Sequence, residues 1–196
     1  MTSRSTASLR VISDPRPRQV LPSAVLGMLI FVGAEMMMFA GLMSAYTIVR
    51  AGALGWPPPG QPRLPVEATA FNTAVLLASA AVLFFANRAY TRNRNLAKRP
   101  LFTAMGLGAF FVVFQGYEWV MLIRQGLTLT SSIHGSFFFL IVGMHGLHAV
   151  AGLTVLGRAG LKLSRGVLAP STFAAAQVFW YFVVGLWPVL YFMVYL

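Results

Sequence analysis

Five apolar runs, each long enough to cross a bilayer, constrain this chain more than any other feature. A spanning helix needs about 20 mostly apolar residues. Runs of that length lie at roughly Ser23–Val49, Ala68–Asn87, Leu101–Ile123, Ser136–Leu156 and Thr172–Leu196. They predict an all-α integral membrane bundle of five transmembrane helices over residues 23–196, behind a basic tail at 1–22. Composition agrees. Hydrophobic residues make up 58% of the chain and charged residues 10%, against about 25% charged in soluble domains. A soluble protein this apolar would have too little polar surface to cover it.

The links between runs are punctuated by residues that stop helices. Trp56-Pro57-Pro58-Pro59-Gly60 cannot continue one, because proline lacks the N–H and clashes with the preceding turn. Arg88 to Arg99 reads as a short basic hairpin, Gly126 to Gly135 as a polar link, and Ser164 to Ser171 as another. Residues 1–22 hold Arg4, Arg10, Arg16 and Arg18 but no short apolar core followed by a small-residue cleavage site, so they do not read as a signal peptide.

The formal net charge is +11. Such basicity often marks nucleic-acid binding, but the position of the charge points elsewhere. Lys and Arg gather at segment ends and in links, where anionic headgroups and the topology rule place them. Alternate links segregate twelve of them (the tail; Arg88, Arg92, Arg94, Lys98, Arg99; Arg158, Lys162, Arg165) from three, Arg50, Arg63 and Arg124. The positive-inside rule then puts the N-terminus in the cytoplasm and the C-terminus outside. Nucleic acid is not an expected partner; membrane lipid is.

Cysteine is absent. That excludes disulfides, thiolate metal sites, c-type haem attachment and a copper–thiolate electron-entry site in this chain. No nucleotide fingerprint, phosphate loop or nucleophile–base pair is present. The informative residues are the few ionisable groups inside the runs, which are costly in lipid and therefore face protein, headgroups or water.

Glu35 lies near the middle of the first run, on a face with Phe31, Phe39 and Leu42, and no basic residue lies within a turn of it. A neutral carboxyl is the form that costs least there. It is read as a carboxyl bonded to a neighbouring helix, as a proton-accessible acid, or as a contact to bound lipid. Glu118 follows Gln115 by three residues on one helical face, which lets the two hydrogen-bond. Trp119 beside it suits the outer interface. His145 and His148 are three apart, within about 60° of each other around the fourth helix. Two such histidines invite a metal reading, but no third nitrogen or sulfur ligand shares the face; bonding across helix interfaces is the alternative, with Gly143, Gly146 and Gly152 allowing close approach. Unaided, the residues define a five-helix membrane protein with three buried polar centres.

The motifs themselves resemble the third subunit of haem–copper cytochrome c and quinol oxidases. The family's Ser-Glu-x-x-x-Phe-x-Gly helix is matched by Ala34-Glu35-Met36-Met37-Met38-Phe39-Ala40-Gly41, and its Trp-Pro-Pro loop by Trp56-Pro57-Pro58. Its Leu-Asn-Thr helix with a Leu-Leu-Ala-Ser run is matched by Phe71-Asn72-Thr73 and Leu76-Leu77-Ala78-Ser79, and its Gln-x-x-Glu-Tyr by Gln115-Gly116-Tyr117-Glu118-Trp119. Its Gly-Phe-His-Gly-Leu-His-Val is matched by Gly143-Met144-His145-Gly146-Leu147-His148-Ala149. Five motifs in order make a specific match. Tyr181 and Val184 stand where the family's last helix usually has His and Asp, and His134 stands for a usual Tyr.

The resemblance implies a five-helix member without the two extra N-terminal helices of the long form. It implies an accessory subunit with no catalytic residue, metal or redox centre of its own, within a proton-translocating oxidoreductase of the bacterial inner membrane. Haem and copper would belong to partner subunits. The chain would pack mainly on subunit I, with subunit II nearby, bind phospholipid in a cleft, and support proton uptake and enzyme lifetime. Glu35 matches the family's buried carboxylate. Lys162, 17 residues after His145, falls where the family places a base for a lipid phosphate, and Arg158 one turn before it joins the same basic cluster. Two other readings are kept: the homologous partner of a nitric oxide reductase, and a stand-alone membrane metal enzyme in which Glu35, Glu118, His145 and His148 converge.

Overall fold

A computed structural model describes residues 21–196. Most of the basic tail assigned to 1–22, including its four arginines, lies outside the described residues. The described chain folds into five helices: α1 (Ser23–Gly52), α2 (Val66–Arg92), α3 (Arg94–Arg124), α4 (Ile133–Ser164) and α5 (Pro170–Tyr195). All five are long and apolar enough to cross a membrane, and this is a multi-pass membrane protein.

The helices overrun the apolar runs at most ends, and the largest departure is at α2 and α3. The expected hairpin over Arg88–Arg99 is almost wholly helical, and only Asn93 separates the two helices. Asn93 adopts an extended backbone and its side chain caps α3 by accepting the Asn95 N–H at 2.9 Å. The helix then runs through Pro100, one residue before the apolar run that begins at Leu101. The cause is length. At 1.5 Å per residue these helices extend about 39–48 Å, against a hydrocarbon core of about 30 Å. The apolar run marks only the part in lipid, and the flanking turns continue as charged helix among headgroups. Glycines stop two of the helices. Gly126 and Gly166 take positive φ of 94° and 76°, and each is followed by a bond from residue i to i−5, Leu127 N to Leu122 O and Val167 N to Lys162 O, both 3.0 Å. That pairing satisfies carbonyls that a helix end otherwise leaves bare.

Helices α2, α3, α4 and α5 form a ring in which each packs on the next and α5 closes on α2; α1 lies outside it, against α5 and α4. Polar contacts stitch α5 to α2 along its length. Gln177 Nε2 donates to Asn87 Oδ1 (3.2 Å), Trp180 Nε1 to Ser79 Oγ (3.1 Å), Trp187 Nε1 to Thr73 Oγ1 (2.8 Å), and Tyr191 OH to the Val66 carbonyl (3.1 Å). Both indoles are fully buried. Trp180 sits where α3 and α4 have no side chain to oppose it: a Cβ at Gly108 would come within 2.6 Å of its ring, and one at Gly152 within 2.9 Å. One end of the bundle carries the α2–α3 and α4–α5 links and their arginines and lysines, and is called the basic end below.

Candidate functional site

The four ionisable groups singled out within the helices fall into three separate interfaces. Glu35 on α1 meets His148 on α4, with Oε2 and Nε2 3.0 Å apart. It is the only contact under 4.0 Å between acidic and basic side chains among the described residues. His148 Nδ1 lies 2.7 Å from the Met144 carbonyl. A carbonyl only accepts, so Nδ1 carries a hydrogen and donates it. That fixes the ring so that the Glu35–His148 contact holds one proton, on oxygen as a neutral pair or on nitrogen as an ion pair. The rings of Phe39, Phe179 and Phe182 surround His148 at 5.4–6.4 Å.

Glu118 is buried on α3 and faces α2. Its Oε2 lies 3.0 Å from Thr69 Oγ1 and accepts from Gln115 Nε2 at 3.1 Å. Gln115 also donates to Tyr195 OH (3.0 Å), and its Oε1 accepts from Asn72 Nδ2 (3.4 Å), which reaches the Phe111 carbonyl as well (3.1 Å). Three helices are thereby joined through one amide. Thr69 and Tyr195 were invisible as members of this network in the sequence, because threonine and terminal tyrosine are common in membrane helices for other reasons.

His145 departs from the expectation of bonding across an interface. It is buried, and neither ring nitrogen has a hydrogen-bond partner among the described residues. Its ring lies at 31° to that of Trp187, centroids 4.9 Å apart, with Phe111 edge-on at 6.5 Å. The 60° between positions i and i+3 is enough to send His148 towards α1 and His145 into aromatic packing against α3 and α5. Trp119 folds over Gly146, where a Cβ would come within 2.8 Å of its ring, and its Nε1 is buried without a partner. His145, Trp119 and Gly146 line a crevice of about 360 Å³ between α3 and α4. Tyr181 OH, at the position of the family's histidine, is also buried without a partner, and Val184 is buried beside it.

Glu35, Glu118, His145 and His148 therefore do not converge, and no group of three or more His, Cys, Asp or Glu that could hold a metal occurs among the described residues. At the basic end Arg158, Lys162 and Arg165 are exposed. At the opposite end Trp56 donates from Nε1 to Tyr46 OH (3.2 Å) and packs edge-on against His134 at 5.1 Å. Pro57 and Pro58 turn the chain there, after a cis Trp56–Pro57 bond.

The described residues form a polytopic membrane bundle in which Glu35, Glu118 and Gln115 bond to side chains of neighbouring helices. The chain belongs to the family described as cytochrome c oxidase subunit III, whose model matches residues 16–196. A relative in Nocardia farcinica named as a probable cytochrome c oxidase subunit 3 is 34% identical over 97% of this chain and 96% of its own length. The cytochrome c oxidase subunit 3 of Corynebacterium diphtheriae is 33% identical over 96% and 93%. That of Gallus gallus is 33% identical over 86% of this chain and 67% of its own length.

Proposed function

We propose that the chain is an accessory, non-redox subunit of a haem–copper terminal oxidase in a bacterial inner membrane, with its basic end in the cytoplasm. It packs on subunit I, near subunit II, and the haem and copper that reduce oxygen sit in those partners. Its contribution is durability during turnover and support of proton uptake, with phospholipid held at its surface. The single observation that carries this reading is family membership along nearly the whole chain. The names of the relatives favour an oxidase over a nitric oxide reductase. The geometry agrees: Glu35 and Glu118 are placed to tie helices together, and Glu35 is the acid reached from the α1 surface, half-buried beside His148. Lys162 and Arg158 are proposed to hold a lipid phosphate at the basic end.

The experiment strips the chain from the purified oxidase with a harsher detergent and follows spectrum and turnover. The haem spectrum should persist while activity decays sooner with each round of turnover. Immediate loss of the haem spectrum would contradict an accessory role. In the same assay Glu35→Gln, which keeps a hydrogen bond to His148, should assemble almost normally and Glu35→Ala should dissociate more readily. Equal behaviour of the two would remove Glu35 from the account.

A further inference from the structure

Among the described residues the end opposite the basic end carries three Lys or Arg, and two of them, Arg50 and Arg63, line one pocket. The pocket has a volume of about 270 Å³ and is walled by Trp56, His134, Val194 and Tyr195. Topology does not call for positive charge on this side. Nor is the charge matched by protein: no carboxylate lies within 4.0 Å of either guanidinium among the described residues. Arg50 is held in place, since its Nη1 donates to the Met193 carbonyl at 3.1 Å. One contact uses one of five N–H donors, so the fork keeps donors for a ligand. His134 is buried, and its Nδ1 has no partner. Two guanidiniums without a carboxylate partner and a buried His134 Nδ1 without a hydrogen-bond partner line this one small pocket, which suits an anion by charge and by donor count.

A second, larger groove adjoins it. Tyr46, Thr47, Phe192 and Met193 line a space of about 510 Å³ between α1 and α5, and Arg50 borders both spaces. An apolar groove meeting a cationic pocket matches a group whose charged oxygens are joined to hydrocarbon. We propose that Arg50, Arg63 and His134 bind a phosphate group at this end of the bundle, as the headgroup of a phospholipid whose chain lies in the α1–α5 groove or as free phosphate. This site is separate from the Lys162 cluster, which lies at the other end of α4.

The test uses the intact membrane complex that contains this chain, purified in mild detergent and washed in phosphate-free buffer. Organic phosphorus per complex is compared for the wild type, Arg63→Gln, and Arg50→Gln with Arg63→Gln. The expected result is a loss of about one phosphorus per chain in the double variant. If the source is free phosphate, organic phosphorus stays level, and the washed wild type instead takes up radiolabelled inorganic phosphate saturably while the variants do not. Equal organic phosphorus together with no saturable phosphate uptake overturns the proposal. Arg63 is exposed and makes no hydrogen bond to the protein among the described residues, so Arg63→Gln keeps the test valid if the double variant misassembles. Arg158→Gln with Lys162→Gln, in the same measurement, reads the basic end independently: organic phosphorus should fall there too, and an unchanged value would leave those residues as topological charge.

Discussion

Trp180→Ala should destabilise the isolated bundle more than any other single truncation, by about 3–5 kcal/mol. The indole is fully buried and fills the space left by Gly108 on α3 and Gly152 on α4. Removing it leaves a cavity at the meeting of three helices that backbone alone cannot refill. The lost hydrogen bond is the smaller part. Ser79 Oγ still donates to the Leu76 carbonyl at 2.7 Å, so no buried hydroxyl is orphaned. Trp180→Phe should therefore recover most of the loss. The converse change acts on the same contact: Gly108→Ala would place a methyl group 2.6 Å from the ring, and overpacking of this kind costs about 1–3 kcal/mol. Unfolding midpoints in mild detergent check all three. A Trp180→Ala protein with an unchanged midpoint would mean that the ring is not a packing centre.

Gln115→Leu should cost about 2–4 kcal/mol, although it exchanges one uncharged side chain for another of similar size. A single interhelical hydrogen bond in a membrane protein contributes about 0.6 kcal/mol on average. Gln115 makes two such contacts, to Tyr195 and Asn72, and a third within α3 to the buried carboxyl of Glu118. Its loss strips Glu118 and Tyr195 of a donor inside a nearly dry interface, whereas Asn72 keeps the Phe111 carbonyl. Glu118→Gln preserves most of the network and should cost less. The double variant should be much less destabilised than the sum of the two single ones, because both act on the same bonds. Strict additivity in a double-mutant cycle would show that Gln115 and Glu118 are not coupled.

The architecture was legible because lipid imposes one simple requirement: about 20 apolar residues per crossing. The five runs therefore located all five helices. Their ends were not legible. Arg88, Arg92 and Lys98 read as loop because they are charged, yet a helix continues readily once it leaves the hydrocarbon, and one capping asparagine at 93 suffices to turn it. The candidate site divided in the same way. Gln115 and Glu118 could be paired from sequence because both lie on one helix, three residues apart. The long-range members could not: Thr69 and Tyr195 join that pair from two other helices, and nothing local predicts their register. Trp180 and Trp187 left a partial signal. They sit in the middle of a spanning helix, away from the interfaces where tryptophan usually gathers, and such a residue needs a buried acceptor. Ser79 and Thr73 on α2 supply it.

The most direct measurement is to purify the chain through an affinity tag from native membranes in mild detergent, then to record its visible spectrum and identify what comes with it. The account expects the haem–copper subunits I and II in stoichiometric amounts, a haem Soret band from the complex, and a colourless, metal-free chain once it is separated from them. A chain that purifies without those subunits, or that keeps stoichiometric haem, copper or iron after separation, would contradict it.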